Sequence, residues 1–432
     1  MSVDSHLRRR LHTSRRQIVA GAGAAAASAA MAKPSFAQAS ARVVVVGGGF
    51  AGTTVARFLR REDPSIDVTL VEPGATYTSC PFSNLVLGGL RELADQRFSY
   101  EAVAAAGVSV VKDRASQIDP DTRTVQTDGG QTIAYDRLVL TPGVDLIFGG
   151  LEGYSRDAVE TMPHAWKAGP QTALLRDQLE AMDDGGVVVI AAPASPYRCP
   201  PGPYERASMI AHYLKQNKPR SKVLILDAKE RFSKQDLFEQ AWAEHYGDMV
   251  EWVGVSLGGQ VVAVDPGTRE VHTDFDTVQA DVANIVPPQR AAEIAQLAGV
   301  ADASGWCPID PLTFASTLQP DIHVLGDAAI ANAMPKSAFS ANSQGKVCAR
   351  QIARSLRGEP PVETVLLNTC YSLVAPDHGI SIAGVYRPGE GQIEPIEGAG
   401  GVSPLDASPE ARRLEAVYGE DWFKAITTEV FG

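Results

Sequence analysis

RVVVVGGGFAG, residues 42–52, joins a run of β-branched residues to a glycine-rich turn. Four consecutive valines are typical of a parallel strand that is buried on both faces. The turn carries Gly47, Gly49 and Gly52 in the spacing G-x-G-x-x-G, and a helical pattern follows to Arg61. In such a turn Gly47 permits the tight bend, Gly49 lets the backbone approach a pyrophosphate, and Gly52 lets the helix pack on the strand.

A second apolar strand, residues 67–71, ends at Glu72, which stands 20 residues beyond Gly52. An acidic residue at this distance is positioned to accept hydrogen bonds from the ribose of a dinucleotide. The glycine spacing alone is weak evidence, but strand, turn, helix and acidic residue occur here in register. The sequence therefore predicts a Rossmann-like dinucleotide-binding unit.

Two later segments indicate which dinucleotide is bound. Residues 135–143 (YDRLVLTPG) end a strand in a Thr-Pro-Gly turn, and residues 322–327 (IHVLGD) end another strand in Gly-Asp. Both are similar to fingerprints of the two-dinucleotide-domain flavoproteins of the glutathione-reductase type. The resemblance implies that FAD is the cofactor and that Asp327 binds its ribityl chain. It also implies that the helix from about Ala341 points its positive end at the flavin ring.

A second dinucleotide turn is expected after the strand at residues 186–191, but the sequence departs from the pattern there. Residues 192–203, APASPYRCPPGP, have prolines where glycines should stand. Proline has a fixed φ and no N–H, so this turn is unsuited to cradling a phosphate. Asp227, which follows the next strand, is interpreted as an ancestral or capping residue. The sequence thus predicts a second Rossmann-like domain without a functional NAD site.

The N-terminal segment, residues 1–39, is typical of a twin-arginine export signal. Arg15 and Arg16 precede an alanine-rich stretch, and residues 37–39 (AQA) offer a cleavage site. We therefore expect a periplasmic protein. Six basic residues and one acidic residue would leave with the signal, which takes the formal net charge from -12 to -17. An acidic surface argues against nucleic acids and anionic membranes as partners, and the apolar run is too short for membrane insertion.

Three longer segments carry a closer resemblance: residues 197–215 (YRCPPGPYERASMIAHYLK), 326–346 (GDAAIANAMPKSAFSANSQGK) and 367–388 (LNTCYSLVAPDHGISIAGVYRP). They resemble the flavoprotein subunit of flavocytochrome c sulfide dehydrogenase, and the similarity covers essentially the whole chain after residue 39. The resemblance implies oxidation of hydrosulfide, a small inorganic sulfur substrate, to sulfur or polysulfide, with electrons passed to a c-type cytochrome subunit. The sequence contains no C-x-x-C-H haem motif, so haem is expected only on a partner subunit.

Two of the five cysteines are expected to form a redox-active disulfide beside the flavin. Cys199 lies in the proline-rich turn, and Cys370 lies in the segment after the flavin-binding helix. A structural disulfide that closes a long loop is the alternative. Cys307 and Cys348 are expected to be buried as small hydrophobic residues.

Cys80 is the candidate for a covalent flavin link. It stands in residues 77–84, YTSCPFSN, which match the family's Y-x-x-C-x-x-S-N stretch. In that family this cysteine bonds to the 8α-methyl group of the flavin. Pro81 and Phe82 depart from the Tyr-Leu that relatives often carry after it.

The expected chemistry follows from these assignments. Hydrosulfide attacks the Cys199–Cys370 disulfide, which leaves a persulfide on one cysteine and on the other a thiolate that reduces the flavin. Glu205 is the candidate acid/base, with an exposed ion pair beside Arg206 as the alternative. Lys336 is the candidate to stabilise the anionic reduced ring, with a surface lysine as the alternative. No metal ligand is predicted.

The predicted fold is α/β, with two Rossmann-like dinucleotide-binding domains and a C-terminal α+β interface domain. We assign residues 40–160 and 285–360 to a discontinuous FAD-binding domain, 161–284 to the second domain, and 361–432 to the interface domain. Three other functions are disfavoured: a sulfide:quinone reductase, an NAD(P)H-dependent FAD oxidoreductase and a non-catalytic flavin-holding partner. The charged pattern of the C-terminal tail argues against the quinone reductase. The lost glycine turn argues against the NAD(P)H-dependent enzyme, and the unusual turn at Cys199 argues against the non-catalytic partner.

Overall fold

A computed structural model describes residues 40–432; the predicted export signal, residues 1–39, lies outside the described residues. The chain opens with the strand, turn and helix that the sequence predicts. Strand β1 spans Arg42–Val46, helix α1 spans Phe50–Glu62 and strand β2 spans Asp67–Val71. Strand β1 is central in its sheet, since it pairs in parallel with β2 on one side and with β9, Arg137–Leu140, on the other. Its four valines are buried, as expected for a parallel strand with both faces covered.

The first sheet has five parallel strands in the order β19-β9-β1-β2-β5. Strand β5 is Ser109–Val111, and β19 is Ile322–Val324. The sheet therefore takes its edge strand from a distant part of the chain. Because all five strands are parallel, their carboxyl ends meet at one edge, which is where ligands bind in sheets of this kind.

Helix α1 packs closely against helix α8, Ala338–Leu356. The approach depends on Gly345, since a Cβ at this position would lie 2.9 Å from the Cβ of Thr54 and 3.0 Å from the carbonyl oxygen of Ala51. Asn342 adds a hydrogen bond of 3.0 Å from its Nδ2 to the hydroxyl of Thr54. Small and short side chains thus bring the N-termini of both helices to the same edge of the sheet.

The second sheet has four parallel strands in the order β13-β12-β11-β17. The elements of this layer are β11 (Val187–Ala192), β12 (Lys222–Asp227), β13 (Val250–Val253), β17 (Val282–Ile285), α4 (Pro170–Ala181), α5 (Gly202–Asn217) and α6 (Gln235–Tyr246). Helix α5 begins directly after the proline-rich turn, so the turn connects a strand to a helix as a dinucleotide turn would.

Shorter elements cover and connect the two sheets. The strands are β3 (Thr76–Thr78), β4 (Arg97–Ser99), β6 (Ala115–Asp119), β7 (Thr124–Thr127), β8 (Thr132–Ala134), β10 (Val144–Leu146), β14 (Val261–Asp265), β15 (Glu270–Thr273), β16 (Thr277–Gln279) and β18 (Gln289–Ala291). The helices are α2 (Asn84–Leu87), α3 (Glu101–Ala105) and α7 (Glu293–Leu297). Strands β10 and β18 pair with each other between the two layers.

The C-terminal part is a long antiparallel hairpin covered by a helix. Its elements are β20 (Leu366–Ala375), β21 (His378–Pro388), β22 (Ile393–Pro395), β23 (Gly401–Val402) and α9 (Pro409–Phe431). Phe431 at the end of α9 stacks on Tyr77 and Phe98, with ring centroids 5.1 and 5.3 Å away. The helix therefore returns the chain to the first sheet.

These features confirm the α/β fold class, with two Rossmann-like sheets, a first sheet assembled from separate segments and a C-terminal α+β part. Across residues 40–432, each helix is too short or too polar to cross a lipid bilayer.

Candidate functional site

A cavity of about 490 Å³ lies along the carboxyl edge of the first sheet and extends to the second sheet and the β20–β21 hairpin. Eight of the ten site residues predicted from the sequence line it: Gly47, Gly49, Glu72, Cys80, Cys199, Glu205, Asp327 and Cys370. The fold thus collects into one cavity residues that are up to 323 positions apart in the chain. Gly52 and Lys336 are outside this lining.

The glycine turn closes one end of the cavity. Gly47 has φ +103°, a conformation that side chains rarely adopt. A Cβ on Gly52 would lie 2.0 Å from the carbonyl oxygen of Gly47, so this glycine serves the packing of helix on turn. Gly49 differs, because its nearest neighbour would be a ring carbon of Tyr77 at 3.7 Å. The space next to the Cα of Gly49 is therefore part of the cavity.

Glu72 and the start of α1 provide complementary charges at this end. The backbone N–H of Gly48 donates to Glu72 Oε2 at 2.8 Å, and that of Gly74 donates to Oε1 at 2.9 Å. Within the described residues, no side chain caps the first turn of α1, whose N-cap residue is Gly49. Free N–H groups at a helix N-terminus attract phosphate, and a half-buried carboxylate accepts from ribose hydroxyls.

Asp327 and α8 form the next part of the wall. Burial raises the pKa of the Asp327 carboxyl, and the cations of Arg198 and Lys336 oppose the rise. Lys336 donates from Nζ to the carbonyl oxygens of Asp327 and Ala329, at 2.8 and 2.7 Å. Burial lowers the pKa of Lys336 to about 8. Its ammonium is therefore bound within the protein and is not a free surface group, while its predicted role toward the flavin stays a prediction.

Cys199 is held in the proline-rich turn in a left-handed backbone conformation, with φ +58°. Such a conformation costs a non-glycine residue about 1–3 kcal/mol and persists only where surrounding contacts enforce it. Its N–H donates to the carbonyl oxygen of Lys336 at 2.9 Å, and its own carbonyl accepts from Gly202 N–H at 2.9 Å. The contact with Lys336 ties the turn of the second sheet to the segment after Asp327.

Cys370 lies on β20, and a buried lysine supports it from the second layer. Lys234, which is only 8% exposed, donates from Nζ to the carbonyl oxygen of Cys370 at 2.9 Å and to Ser372 Oγ at 2.8 Å. Lys234 was not among the predicted site residues, since no motif surrounds it in the sequence. Burial raises the pKa of the Cys370 thiol, and the Lys234 cation counteracts that rise.

The two cysteines differ in their electrostatic surroundings. Burial also raises the pKa of Cys199, and Cys370 and Glu205 raise it further while Arg198 opposes them. All five cysteines lie within the described residues and are free thiols there, so the predicted disulfide is not present in this structure. Cys307 and Cys348 are fully buried, as expected.

Glu205, in the first turn of α5, faces the cavity instead of pairing with its neighbour Arg206. Asn84 Nδ2 donates to Glu205 Oε2 at 3.0 Å. Burial raises the pKa of the Glu205 carboxyl, and the nearby Lys234 opposes the rise. The guanidinium of Arg206 instead donates to Asn84 Oδ1, Asn284 Oδ1 and the carbonyl oxygens of residues 164 and 165. Neither Arg206 nor Asn84 was predicted, although both shape the wall.

Cys80 lies on the same cavity, half-buried after β3. Its Sγ is 3.8 Å from the carbonyl oxygen of Trp166, which also accepts a hydrogen bond from the guanidinium of Arg198. Cys80 is therefore held beside the arginine that neighbours Cys199, at the boundary between the two sheets.

Asp227 is enclosed at the end of β12. It accepts hydrogen bonds from Tyr204 Oη at 2.6 Å, Trp252 Nε1 at 2.9 Å and Lys229 Nζ at 2.5 Å. Its side chain is fully buried. These three donors engage both carboxylate oxygens, so the residue that would accept from a ribose is part of a structural network.

The cavity fits the cofactor expected from the sequence. One end offers the glycine turn, the free N–H groups of α1 and the carboxylate of Glu72 to an adenosine diphosphate portion. The other end offers Asp327, the N-terminus of α8 and the cysteines to a ribityl chain and an isoalloxazine ring.

Two family descriptions match the sequence. Residues 172–287 match "Sulfide dehydrogenase (flavocytochrome c) flavoprotein chain, central", and residues 362–431 match "Flavocytochrome c sulphide dehydrogenase, flavin-binding". The sulfide dehydrogenase (flavocytochrome c) flavoprotein chain of Chlorobaculum thiosulfatiphilum is 64% identical over 45 residues, which are 10% of this chain and 94% of that sequence. The mitochondrial sulfide:quinone oxidoreductase of Mus musculus is 22% identical over 342 residues, 74% of this chain and 72% of that one.

Solved structures share the architecture. The sulfide:quinone oxidoreductase of Aquifex aeolicus superposes with a TM-score of 0.68 at 20% identity, over 90% of this chain and 92% of that one. A chain of the covalent putidaredoxin reductase–putidaredoxin complex superposes with a TM-score of 0.63 at 19% identity, over 88% and 94%. At these identities the likeness concerns the fold alone.

Substitutions of Gly52 and Gly49 should affect different properties, the first the stability of the protein and the second its affinity for flavin. Gly52→Ala should lower the stability of the flavin-free protein by about 1–3 kcal/mol, because the added Cβ overlaps the carbonyl oxygen of Gly47. Gly49→Ala should leave that stability within about 0.5 kcal/mol of wild type but weaken flavin binding, because its Cβ enters the cavity. Urea unfolding of flavin-free protein and FAD titration would measure both. Equal flavin affinity in wild type and Gly49→Ala would contradict the placement of the dinucleotide.

Proposed function

The chain belongs to the family of flavocytochrome c sulfide dehydrogenase flavoprotein chains, and on that premise we propose how its cavity oxidises sulfide. It is a sulfide-oxidising, FAD-dependent oxidoreductase. The proposal rests on one observation: Cys199 and Cys370, from two different layers, line the same cavity as Glu205 and the flavin-binding turn.

In the resting enzyme Cys199 and Cys370 form a disulfide, and hydrosulfide attacks its Cys199 sulfur. The new S–S bond makes a persulfide on Cys199, the old S–S bond breaks, and the electron pair leaves on Cys370 as a thiolate. The exchange balances, because the sulfide sulfur is oxidised to the sulfane level and the two electrons it gives up stay on the protein as the Cys370 thiolate. The left-handed backbone of Cys199 supports this choice, because it holds that sulfur in a turn at the cavity.

The Lys234 ammonium favours Cys370 as the leaving group of this exchange. A leaving thiol departs faster when its thiolate is more stable, and the Lys234 ammonium counteracts the effect of burial at Cys370. Glu205 disfavours the thiolate at both sulfurs; at Cys199 burial and the neighbouring Cys370 raise the pKa well above its ordinary value, although Arg198 opposes the rise. The difference in surroundings therefore favours a thiolate on Cys370 and the sulfane sulfur on Cys199.

Glu205 is the proposed acid/base of this site. Burial raises the pKa of its carboxyl, which makes the carboxylate a stronger proton acceptor than an exposed glutamate. Asn84 fixes Oε2 by a hydrogen bond of 3.0 Å. The carboxyl can then accept the proton of an entering hydrogen sulfide and later return it to the product.

The FAD-binding residues we propose are Gly47, Gly49, Gly52, Glu72 and Asp327, with Cys80 as the covalent attachment point. When bound, the flavin supplies a two-electron acceptor that can be reoxidised one electron at a time. Cys80 and the guanidinium of Arg198 share the carbonyl oxygen of Trp166, which orients the cysteine within the cavity.

The proposed electron acceptor is haem on a c-type cytochrome partner, as the family name implies. Removal of the proposed export signal would take the formal net charge from -12 to -17, which would suit a basic docking surface on such a partner. We propose that twin-arginine export takes the protein to the periplasm. A quinone is the second candidate acceptor, because relatives that match over more of the chain are sulfide:quinone oxidoreductases. A nicotinamide nucleotide is not proposed, since Asp227 is engaged by three protein donors.

The disulfide mechanism predicts that sulfide alone bleaches the flavin and that each reactive cysteine is required. Anaerobic stopped-flow absorbance should show rapid bleaching in wild type and loss of the rapid phase in Cys199→Ser and Cys370→Ser. Cys348→Ala, a buried cysteine outside the cavity, should keep the rapid phase. Full sulfide turnover in Cys199→Ser would contradict the mechanism, and bleaching by NADH without a response to sulfide would contradict the function. Adding cytochrome c or a short-chain quinone to the reduced protein identifies the acceptor.

Covalent attachment predicts that flavin stays with the protein after unfolding. Acid precipitation of wild type should leave yellow flavin in the pellet, and mass spectrometry should locate it on the peptide that contains Cys80. Cys80→Ser should release the flavin to the supernatant while still binding it in the folded state. Free flavin in the wild-type supernatant would exclude the link.

Lys234→Met should move the ionisation of the Cys370 thiol to higher pH, because the variant lacks the cation that offsets burial. The thiolate is then present above a higher pKa and is lost as the pH falls through it. Iodoacetamide labelling of the reduced protein, quantified on the Cys370 peptide across pH, would show the shift. Lys234→Arg keeps the charge and should restore most of the wild-type profile. An unchanged profile in Lys234→Met would remove Lys234 from the mechanism.

A further inference from the structure

Three metal-ligating side chains meet outside the cavity, where the end of α6 packs beside the turn between β20 and β21. Glu244 and His245 come from the helix, and His378 is the first residue of β21. One ligand atom from each lies within 4.8 Å of the other two. Nε2 of His245 and Nδ1 of His378 are 2.8 Å apart, with their rings nearly perpendicular.

We propose that Glu244, His245 and His378 bind a divalent transition-metal cation of the zinc type. Two imidazoles and one carboxylate are a common protein ligand set for Zn²⁺, with water in the fourth position. Imidazole nitrogens favour Zn²⁺, Cu²⁺ and Ni²⁺, whereas Mg²⁺ and Ca²⁺ prefer oxygen ligands. The two imidazoles of the site therefore favour a transition-metal ion over Mg²⁺ or Ca²⁺.

The present geometry needs little change to accept the ion. Tetrahedral Zn²⁺ with Zn–N bonds of about 2.0–2.1 Å separates two imidazole nitrogens by roughly 3.3 Å. The two rings are now 2.8 Å apart at these atoms, so they would separate by about half an ångström. In the metal-free state one of the two nitrogens must carry the proton that they share, and the metal replaces that proton.

The surroundings suit a cation. His378 is buried and Glu244 is exposed, so the site is anchored on the protein side and open to solvent on the other. Asp377 adds a second carboxylate near His378. Two cationic side chains lie nearby, and both are hydrogen-bonded to protein oxygens. Lys215 Nζ donates to the carbonyl oxygen of His245 at 2.6 Å, and Arg412 donates to Glu415 Oε2 at 3.3 Å and to the carbonyl oxygen of Pro404 at 2.6 Å.

The site lies at the end of the helix that follows Lys234 and beside the turn that follows the strand of Cys370. Helix α6 begins just after Lys234, which holds Cys370, and it ends at the His245 region. Strand β20 likewise runs from the Cys370 region to the turn before His378. A bound ion would cross-link the C-terminal end of α6 to the first residue of β21. This role does not depend on the mechanism of sulfide oxidation.

Calorimetric titration with Zn²⁺ tests the site on untagged, flavin-loaded protein that has been treated with a chelator. The thiols are first blocked with N-ethylmaleimide, so that cysteines contribute no binding. We expect one equivalent of Zn²⁺ to bind and Mg²⁺ to give no heat. Glu244→Gln and His245→Gln should each weaken binding at least about tenfold, since even outer partners of metal sites cost that much when removed.

His212→Gln is the matched control, because His212 is a neighbouring imidazole that pairs with Gln216 at 2.8 Å outside the three-residue set. It should retain wild-type Zn²⁺ affinity. Glu244 is exposed, so its variant is expected to fold, and the flavin absorbance spectrum checks this for each protein. Absence of binding heat in wild type, wild-type affinity in both Glu244→Gln and His245→Gln, or a loss in His212→Gln as large as in His245→Gln would overturn the proposal.

Discussion

A buried ammonium must be solvated by the protein itself, and the arrangement at Lys234 follows from this constraint. Its two hydrogen bonds go to the Cys370 carbonyl and the Ser372 hydroxyl, both on β20. Lys234 precedes α6 in a left-handed conformation, with φ +63°. The second layer is therefore joined to the C-terminal hairpin at the point where the hairpin presents its cysteine to the cavity, and any slip of one against the other would expose an unpaired charge.

The second Rossmann-like layer keeps its strands and crossover helices while its ligand edge serves a different purpose. In place of a phosphate cradle, the proline-rich turn holds Cys199 by a hydrogen bond to the Lys336 carbonyl. Asp227, which follows the strand where a ribose acceptor would stand, is the centre of a network with Tyr204, Trp252 and Lys229. Burying this carboxylate is tolerable because three donors compensate its lost hydration. The edge at which a Rossmann-like sheet would bind a nucleotide thus positions Cys199 at the cavity.

Local sequence patterns predicted much of the fold and many residues of the cavity. The valine run and the glycine spacing are short-range signals, since they reflect strand burial and backbone conformation over about ten residues. The cysteines and Glu205 could be assigned to one site because a family resemblance spans their segments. The resemblance assigned no role to Lys234, Asn84 or Arg206. Lys234 contacts Cys370 from 136 positions away, and Asn84 contacts Glu205 and Arg206 from 121 and 122 positions away. The thiols of Cys199 and Cys370 are free in the structure. Formation of the disulfide expected from the sequence therefore requires oxidation of the two thiols in addition to their placement at one cavity.

The sequence by itself determined the α/β class, the dinucleotide turn and the loss of the second glycine turn. Each of these depends on residue type and spacing within one segment. Only the tertiary structure decided that Lys234 faces Cys370, that Glu205 faces the cavity instead of Arg206, and that His245 meets His378 from 133 residues away. The reason is physical: a buried charge or imidazole finds its partner by the packing of layers, and that packing is a property of the whole core.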